Sequence, residues 1–419
     1  MNRFYSIFKG DKVIWMLFFF LCIISIIEVY SASSELTYNS DSYTAPILKH
    51  VGMLVAGFVI MIVTLNVHCK YFKVLTPFLI LFSVITLLWV FFVGHATNGA
   101  SRWIEFFGIQ FQPSEIAKGS VILAVAQILS AMQTEIGADR RAFKYILIVA
   151  LPITLLIIPE NFSTAALLLL VVIMMMIIGR IPTRLILYFV GVLAALGAFV
   201  IGCVFLFGNV DKTKIDEENV LTEQTTIAKP EKKGGIEKVF HRFDTWKGRI
   251  LSFCDHKEID IANYDWDKDG QKGHANIAIA SSNIIGRGPG NSVARDWLPQ
   301  AFSDFIYAII LEEMGIIGGV VVVFLFLVLL FRAQHIASDC ERNFPAFLVL
   351  GLALLLVTQA IFNMCVAVGL APITGQPLPL ISKGGTSTLI NCAYIGMILS
   401  VSRSARKKSM HNSQLTIEN

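Results

Sequence analysis

The chain has 419 residues and a formal net charge of +4, with 55% of its residues hydrophobic and only 15% charged; its mean hydropathy is +0.68. A soluble protein of this size carries about 25% charged residues, and here the apolar surplus lies in long blocks rather than in alternation. That excludes a soluble globular enzyme, and the small net charge gives no sign of a nucleic-acid partner.

Apolar runs long enough to cross a bilayer as helices fall at 13–31, 47–67, 74–94, 114–132, 145–159, 165–179, 185–207, 305–331, 345–368 and 387–402. The fold class expected is therefore an all-α polytopic membrane protein, a single transmembrane domain over 1–419 with about ten helices. The first run follows MNRFYSIFKGDK, is too long for the apolar core of a signal peptide and has no small-residue cleavage site after it, so it reads as retained. With the N-terminus inside, the inner segments collect the basic residues, among them Arg140, Arg141 and Lys144, then Arg403, Arg406, Lys407 and Lys408. The short outer loops offer only Lys49, Arg102 and Lys383, so the positive-inside rule puts both termini on the cytoplasmic side. Seven scattered cysteines, of which only Cys254 falls in the long outer segment, imply no disulfide framework.

The fifth and sixth runs are short, and IPENFST between them reads as a candidate re-entrant turn. Residues 208–304 form one long extracytoplasmic loop. Its first part, 211–235, is polar, nearly free of aromatics and expected to be mobile, a solvated insertion rather than a cover over a site. From Ile236 onward aromatics alternate with charge (VFHRFDTWKGRILSF), which suits a helix lying on the outer surface. No repeat at a fixed period points to a solenoid or an inverted-repeat transporter.

Two stretches in this loop imitate known sites. DWDKDG (Asp265, Asp267, Asp269) opens like an EF-hand, but Asn276 stands where the bidentate glutamate belongs, so an acidic turn is the better reading. GRGPGNS (Gly286, Gly288, Gly290) lacks the dinucleotide-binding spacing and its preceding strand; it reads as backbone passing close to something, either another helix or a phosphate. No Walker A, HExxH or GxSxG sequence is present, so nucleotide hydrolysis and zinc proteolysis have no support.

Three clusters at the outer ends of spans carry more. In NGASRWIEFFGIQFQPSEIAK, Pro113 suits the first turn of a helix, with Ser114 and Glu115 at its positive end. Glu115 and Lys118 are three apart and share a face, and Arg102 and Trp103 suit the headgroup level. Interfacial anchoring with a structural ion pair explains this cluster as well as a functional site does. In GLAPITGQPLPLISKGGTS, Pro377 and Pro379 enforce extended backbone and Gly384–Gly385 open it. Such a break is buried in protein or lines a cavity. It is either a rigid lid or an anion site built from amides, Lys383 and the hydroxyls of Thr386 and Ser387. In WLPQAFSDFIYAIILEEMG, Asp304 stands at the mouth of a span. Continued as one helix, Glu312 lies about 80° around and about 12 Å deeper, and Glu313 points the opposite way. Both glutamates read as structural ion-pair members. Asp304, half-desolvated at the interface, reads as a general base.

Together the three clusters resemble the SEDS family of cell-wall proteins, which includes FtsW, RodA and SpoVE, with FtsW the nearest in overall likeness. The similar stretches run from NGASRWI…FQPSEIAK through AIASSNIIGRGPGNS…WLPQAFSDFIYAIILEEMG to PITGQPLPLISKGGTS. The resemblance implies ten spans and a glycosyltransferase at the outer face of the bacterial cytoplasmic membrane. Its substrate would be lipid II, polymerised into undecaprenyl-pyrophosphate-linked glycan, in cell division. Expected partners are a class B penicillin-binding protein transpeptidase and other divisome membrane proteins. The family's essential acid falls on Asp304. Substrate contacts are expected from Arg102, Trp103, Glu115, Lys118, Arg242 and Ser303, and from Lys383, Gly384, Gly385, Thr386 and Ser387. The chain departs from the family where HTD reads Phe302-Ser303-Asp304, where the PD-G break reads PENFST, and where YGGSS reads Lys383-Gly384-Gly385-Thr386-Ser387. The residues assign no cofactor; the cation facing the leaving group is Arg102, Lys118, Arg242 or Lys383, or else a divalent ion, Mg or Mn. A lipid II flippase, with key acids expected mid-membrane, and a non-catalytic division scaffold remain as other function classes.

Overall fold

The computed structural model describes residues 8–32, 45–93, 95–97, 100–106, 109–207, 247–248, 250–251, 253, 271–298 and 301–417. Helices occupy all ten apolar runs: α1 (Lys12–Ala32), α2 (Ala45–Asn66), α3 (Cys69–Val93), α4 (Pro113–Ala131), α5 (Arg140–Ile157), α6 (Phe162–Ile178) and α7 (Thr183–Phe207), then α9 (Ile306–Ser338), α10 (Asn343–Ala367) and α11 (Thr386–Ile417). A shorter helix, α8 (Gln271–Ala280), lies between α7 and α9. Among the described residues, seven helices are long and apolar enough to cross a membrane unaided, and α6 is a shorter apolar helix. Residues 211–235 and DWDKDG lie outside the described residues. Of the stretch from Ile236, only 247, 248, 250, 251 and 253 are described before α8, and they take helical backbone.

One piece of β-structure adds to the expected all-α class. Strands β1 (His95–Thr97), β2 (Ala100–Phe106) and β3 (Ile109–Phe111) form an antiparallel sheet in the order β1-β2-β3. Ile104 sits opposite Phe111 and Trp103 opposite His95. The sheet leads straight into α4, whose first residue is Pro113: proline lacks an amide hydrogen that would go unbonded at that position in any case.

α4 and α10 form the buried centre; α3, α5, α6 and α11 pack around α4, α9 packs on α10, and α8 packs on α9. α2 lies along α11, where Gly57 faces Cys392 and Gly396 faces the Met61 backbone; a Cβ at Gly396 would come within 2.7 Å of the Met61 carbonyl. Small residues at such crossings let helices approach closely where lipid gives no hydrophobic drive. α7 is mostly exposed along its length, and its apolar side chains suit contact with acyl chains. IPENFST is a tight turn between α5 and α6, with Asn161 capping α6 by accepting from the amides of Ser163 and Thr164 at 3.1 and 3.3 Å.

At the other end of the bundle Asp11 ties two helices. It caps α1 by accepting from the amides of Val13 (2.8 Å) and Ile14 (3.2 Å), and it pairs with Arg332 of α9 at 2.6 Å. Burial alone would raise its pKa, but the Arg332 guanidinium and the two capping amides outweigh that and hold it below the ordinary 3.8. A carboxylate depressed in the folded state stabilises above its unfolded pKa and loses that contribution as pH falls through the folded value. The Tm advantage of the wild type over Asp11→Asn is therefore expected to be constant at neutral pH and to shrink below about pH 4. Thermal scans of both proteins across roughly pH 3–7 check this, and a gap that widens on acidification would refute it.

Candidate functional site

The loop between α10 and α11 is stitched to its surroundings by side chains because its prolines cannot donate. Gln359 and Asn363 are four apart on α10 and present amides on one face. Asn363 Nδ2 donates to the carbonyls of Gln376 (2.7 Å) and Asp304 (2.9 Å), and Gln359 Nε2 donates to the Pro377 carbonyl at 3.1 Å. Gln376 in turn donates to the Thr164 hydroxyl of α6. Ser382 Oγ accepts from the Leu378 amide at 2.8 Å and donates to the Ser303 carbonyl at 2.5 Å. The Lys383 amide donates to the Phe302 carbonyl at 3.0 Å. On the α1 side, Ser25 Oγ donates to the Ile381 carbonyl at 2.6 Å and lies 2.8 Å from His50 Nε2. Thus the 376–385 loop and the 301–305 turn, 79 residues apart at the Ser382–Ser303 bond, form one rim.

Asp304 stands on that rim, on the turn before α9 begins at Ile306, half-buried, with Ser303 Oγ donating to its Oδ1 at 3.1 Å. Lys383 Nζ lies over the Phe302 ring, 5.0 Å from its centroid. Two of the positions where the chain departs from the SEDS pattern, Phe302 and Lys383, are therefore in contact. Desolvation lowers the Lys383 pKa, and the charge of Lys49 lowers it further. Gly385 takes a positive φ of 52° just before Thr386 opens α11. Ser387, in the first turn, is buried with its hydroxyl unbonded among the described residues.

Glu115 and Lys118 lie deeper. Both are 2% exposed, Lys118 Nζ donates to Glu115 Oε1 and to Gln359 Oε1 at 2.8 Å each, and Gln359 carries the bond to Pro377. The pair thus braces the loop from beneath, and its ammonium is already engaged. Arg102 and Trp103 sit on β2, with Trp103 opposite His95 of β1; their side chains, and all of Arg242, lie outside the described residues. A divalent Mg or Mn ion finds no converging group of three or more His, Cys, Asp or Glu among the described residues, so no step is routed through one.

The span expected at 305–331 is not one continuous helix. At Gly315 the backbone turns to φ 71°, ψ −173°, and GRGPGNS fills the break. The amides of Arg287 and Gly288 donate to the freed carbonyls of Glu312 (3.0 Å) and Glu313 (2.8 Å), and those of Ile316 and Ile317 donate to the carbonyls of Asn283 (3.2 Å) and Ile284 (3.3 Å). Gly286 must be glycine, because a Cβ there would collide with the backbone of Glu313 and Gly315. Of the two partners weighed for this glycine-rich stretch, it meets a helix.

The glutamates do not point apart, because this segment crosses over the break and takes both. Glu312 accepts from Ser292 Oγ (2.5 Å) and the Val293 amide (3.0 Å) and lies 3.3 Å from Arg287 Nη1. Glu313 accepts from the amides of Gly290 (2.9 Å) and Ser292 (3.2 Å) and from Ser31 of α1. The ion pair expected for both is found at Glu312, with Arg287, whereas Glu313 is held by amides and a hydroxyl; together they clasp the segment that leads to Asp304. Glu312→Ala leaves the Ser292 hydroxyl and the Val293 amide without their charged acceptor. A loss of about 3 kcal/mol is expected, and unchanged Tm in that variant would refute the clasp. Sequence reasoning missed Gln359, Asn363, Gln376, Ser382 and Ser25; their signal was a polar side chain within or beside an apolar run.

The family profile described as "Cell cycle protein", for FtsW, RodA and SpoVE, matches residues 11–228 and 235–407. The chain is 30% identical over 405 residues to the probable peptidoglycan glycosyltransferase FtsW of Haemophilus influenzae, covering 94% of this chain and 91% of that one. It is 29% identical over 402 residues to the protein of the same name from Halomonas elongata, covering 93% and 90%. Among solved structures, a chain of a peptidoglycan synthase complex superposes with a TM-score of 0.67 at 23% identity, covering 95% of this chain and 99% of that one. The crystal structure of Thermus thermophilus rod shape determining protein RodA gives 0.61 at 20% identity, covering 94% and 97%. These likenesses fix the multi-pass membrane fold, and the profile match over nearly the whole length fixes the lineage: the chain belongs to the FtsW/RodA/SpoVE family of cell cycle proteins.

Proposed function

We propose that the chain is a peptidoglycan glycosyltransferase that polymerises lipid II at the outer face of the bacterial cytoplasmic membrane during cell division. The observation that carries this reading is the placement of Asp304: a half-buried carboxylate at the end of a span, on a turn held by Asn363 and Ser382, with Lys383 on the same rim. Relatives matched along their length carry the name of that activity. Outside the cell no nucleotide pool exists, so a polymerase there needs a substrate bearing its own leaving group, and a lipid-linked pyrophosphate meets that need.

Asp304 takes the proton from the 4-hydroxyl of the acceptor's GlcNAc. The oxygen attacks the anomeric carbon of the donor strand's MurNAc, the bond to the pyrophosphate oxygen breaks, and undecaprenyl pyrophosphate leaves with the electron pair. Charge grows on that leaving group, where a nearby cation lowers the barrier. Both termini lie in the cytoplasm, and a class B penicillin-binding protein takes the nascent strand for crosslinking. The test is purified protein with that transpeptidase, given lipid II in detergent. Glycan polymer is the expected product; activity that requires sealed vesicles would mean transport, and no activity with lipid II in either setting would mean a scaffold.

A further inference from the structure

Three consecutive carbonyls hold the backbone at Asp304. Those of Phe302 and Ser303 accept from the Lys383 amide (3.0 Å) and Ser382 Oγ (2.5 Å), and that of Asp304 accepts from Asn363 Nδ2 (2.9 Å). Two of the three donors belong to Ser382 and Lys383, so where Asp304 stands depends on where that piece of loop is fixed. The residue before them, Ile381, is fixed from α1: Ser25 Oγ donates to its carbonyl at 2.6 Å. Leu380, one place earlier, takes a positive φ of 65°. For a bulky L-residue that left-handed backbone is costly, and it persists only where the surroundings impose it.

The Ser25 bond has a second half. A hydroxyl has one proton, and the Ile381 carbonyl can only accept it, so Ser25 offers a lone pair to His50 Nε2 at 2.8 Å. The imidazole must therefore carry hydrogen on Nε2 and donate it. Ser25 and His50 are both buried, so neither is placed to touch a substrate at the rim. Bonds in such a chain polarise and strengthen one another. His50 of α2 orients the Ser25 hydroxyl of α1, Ser25 holds Ile381, and the next two residues hold the carbonyls of Ser303 and Phe302.

We infer that Ser25 and His50 are positioning residues for Asp304, acting through the backbone of residues 381–383. This rests on the glycosyltransferase reading, in which Asp304 is the base, and it adds two residues of α1 and α2 that set the place of that base without meeting the reactants. Proton transfer needs the carboxylate within hydrogen-bond reach of the acceptor hydroxyl. A displacement of about 1 Å in such a site costs about 100-fold in rate. Loss of the relay therefore lowers kcat, and any side chain that restores a donor at the place of Nε2 restores it. Glutamine puts its amide nitrogen there; leucine offers no donor.

The experiment uses the full chain with its transpeptidase in detergent and reads lipid II polymerisation, Tm and amide hydrogen exchange over residues 376–385. Ser25→Ala and His50→Leu are each expected to lower kcat by about 10- to 100-fold and to speed exchange in that loop, while His50→Gln keeps both near wild type. Ser83→Ala is the control for lost stability alone: it removes another buried bond between helices, from Ser83 of α3 to Ser120 of α4 at 3.0 Å, and is expected to lower Tm and keep kcat. Wild-type kcat in Ser25→Ala overturns the relay. So does an equal loss in His50→Leu and His50→Gln, or a loss in Ser83→Ala as large as that in Ser25→Ala. If Ser25→Ala does not fold, the two His50 variants decide. Exchange is independent of turnover, so the two readings fail separately. A wild type that polymerises lipid II while Ser25→Ala matches it in rate and exchange loses the relay alone. A wild type that makes no polymer, while Ser25→Ala and His50→Leu still speed exchange in the loop, loses the enzyme alone.

Discussion

Asp304→Asn is expected to lower lipid II polymerisation by about 10²- to 10⁴-fold, the usual contribution of a general base, while leaving the protein folded. Asparagine matches aspartate in size and can still meet the Ser303 hydroxyl, which donates to Oδ1 at 3.1 Å. The tie from Asn363 goes to the backbone carbonyl of residue 304 and does not depend on the side chain. Tm and association with the transpeptidase should therefore stay at wild-type values. Only the capacity to take the proton is removed. Polymer formation near the wild-type rate in detergent would show that the base is another group.

The second large effect is expected at the buried pair beneath the rim. Lys118→Ala leaves Glu115, 2% exposed, as an uncompensated buried charge, which costs about 3–5 kcal/mol. It also frees Gln359 Oε1, whose side chain straps Pro377, so the loop carrying Lys383 loses a brace. Glu115→Ala combined with Lys118→Ala removes both charges and is expected to recover part of the stability. Turnover separates bracing from direct substrate contact. If the pair only braces, activity tracks Tm and returns in the double variant. If Lys118 also touches substrate, the single variant loses both Tm and activity, and the double variant regains stability without regaining activity.

The spans were legible because a helix crossing hydrocarbon needs a long apolar run, and each of the apolar runs coincides with a helix. The place of Asp304 at the mouth of a span, Pro113 at the head of α4 and the Glu115–Lys118 pairing were legible from local spacing alone. What escaped was long-range. The helical extrapolation from Asp304 to Glu312 and Glu313 failed because Asp304 precedes the helix, which begins at Ile306. No local pattern announces that the two glutamates will share an upstream loop. Glu313 meets the Gly290 amide across 23 residues and the Ser292 amide across 21. The three-stranded sheet at 95–111 was hidden by strands of three to seven residues, too short for alternation to stand out. The polar bonds of Gln359 and Asn363 were hidden because an amide within an apolar run shows that a partner is needed but not which one.

The break at Gly315 also sets an order of events during synthesis. Residues 306–314 carry two adjacent carboxylates, and an acidic side chain facing hydrocarbon alone costs a few kcal/mol. Their donors, together with the groups that meet the freed carbonyls of Glu312 and Glu313 and the amides of Ile316 and Ile317, come from residues 281–294 and, for Glu313, also from Ser31 of α1. That stretch leaves the ribosome first. When α9 enters the membrane, its partner already exists on the same chain, so the helix docks instead of waiting bare in lipid. In a circular permutant beginning at Phe305 the sequence of arrival is reversed. The same helix then meets the bilayer with its carboxylates and the backbone groups around the break unsatisfied, so this family's chain order is itself part of how the polymerase gets built.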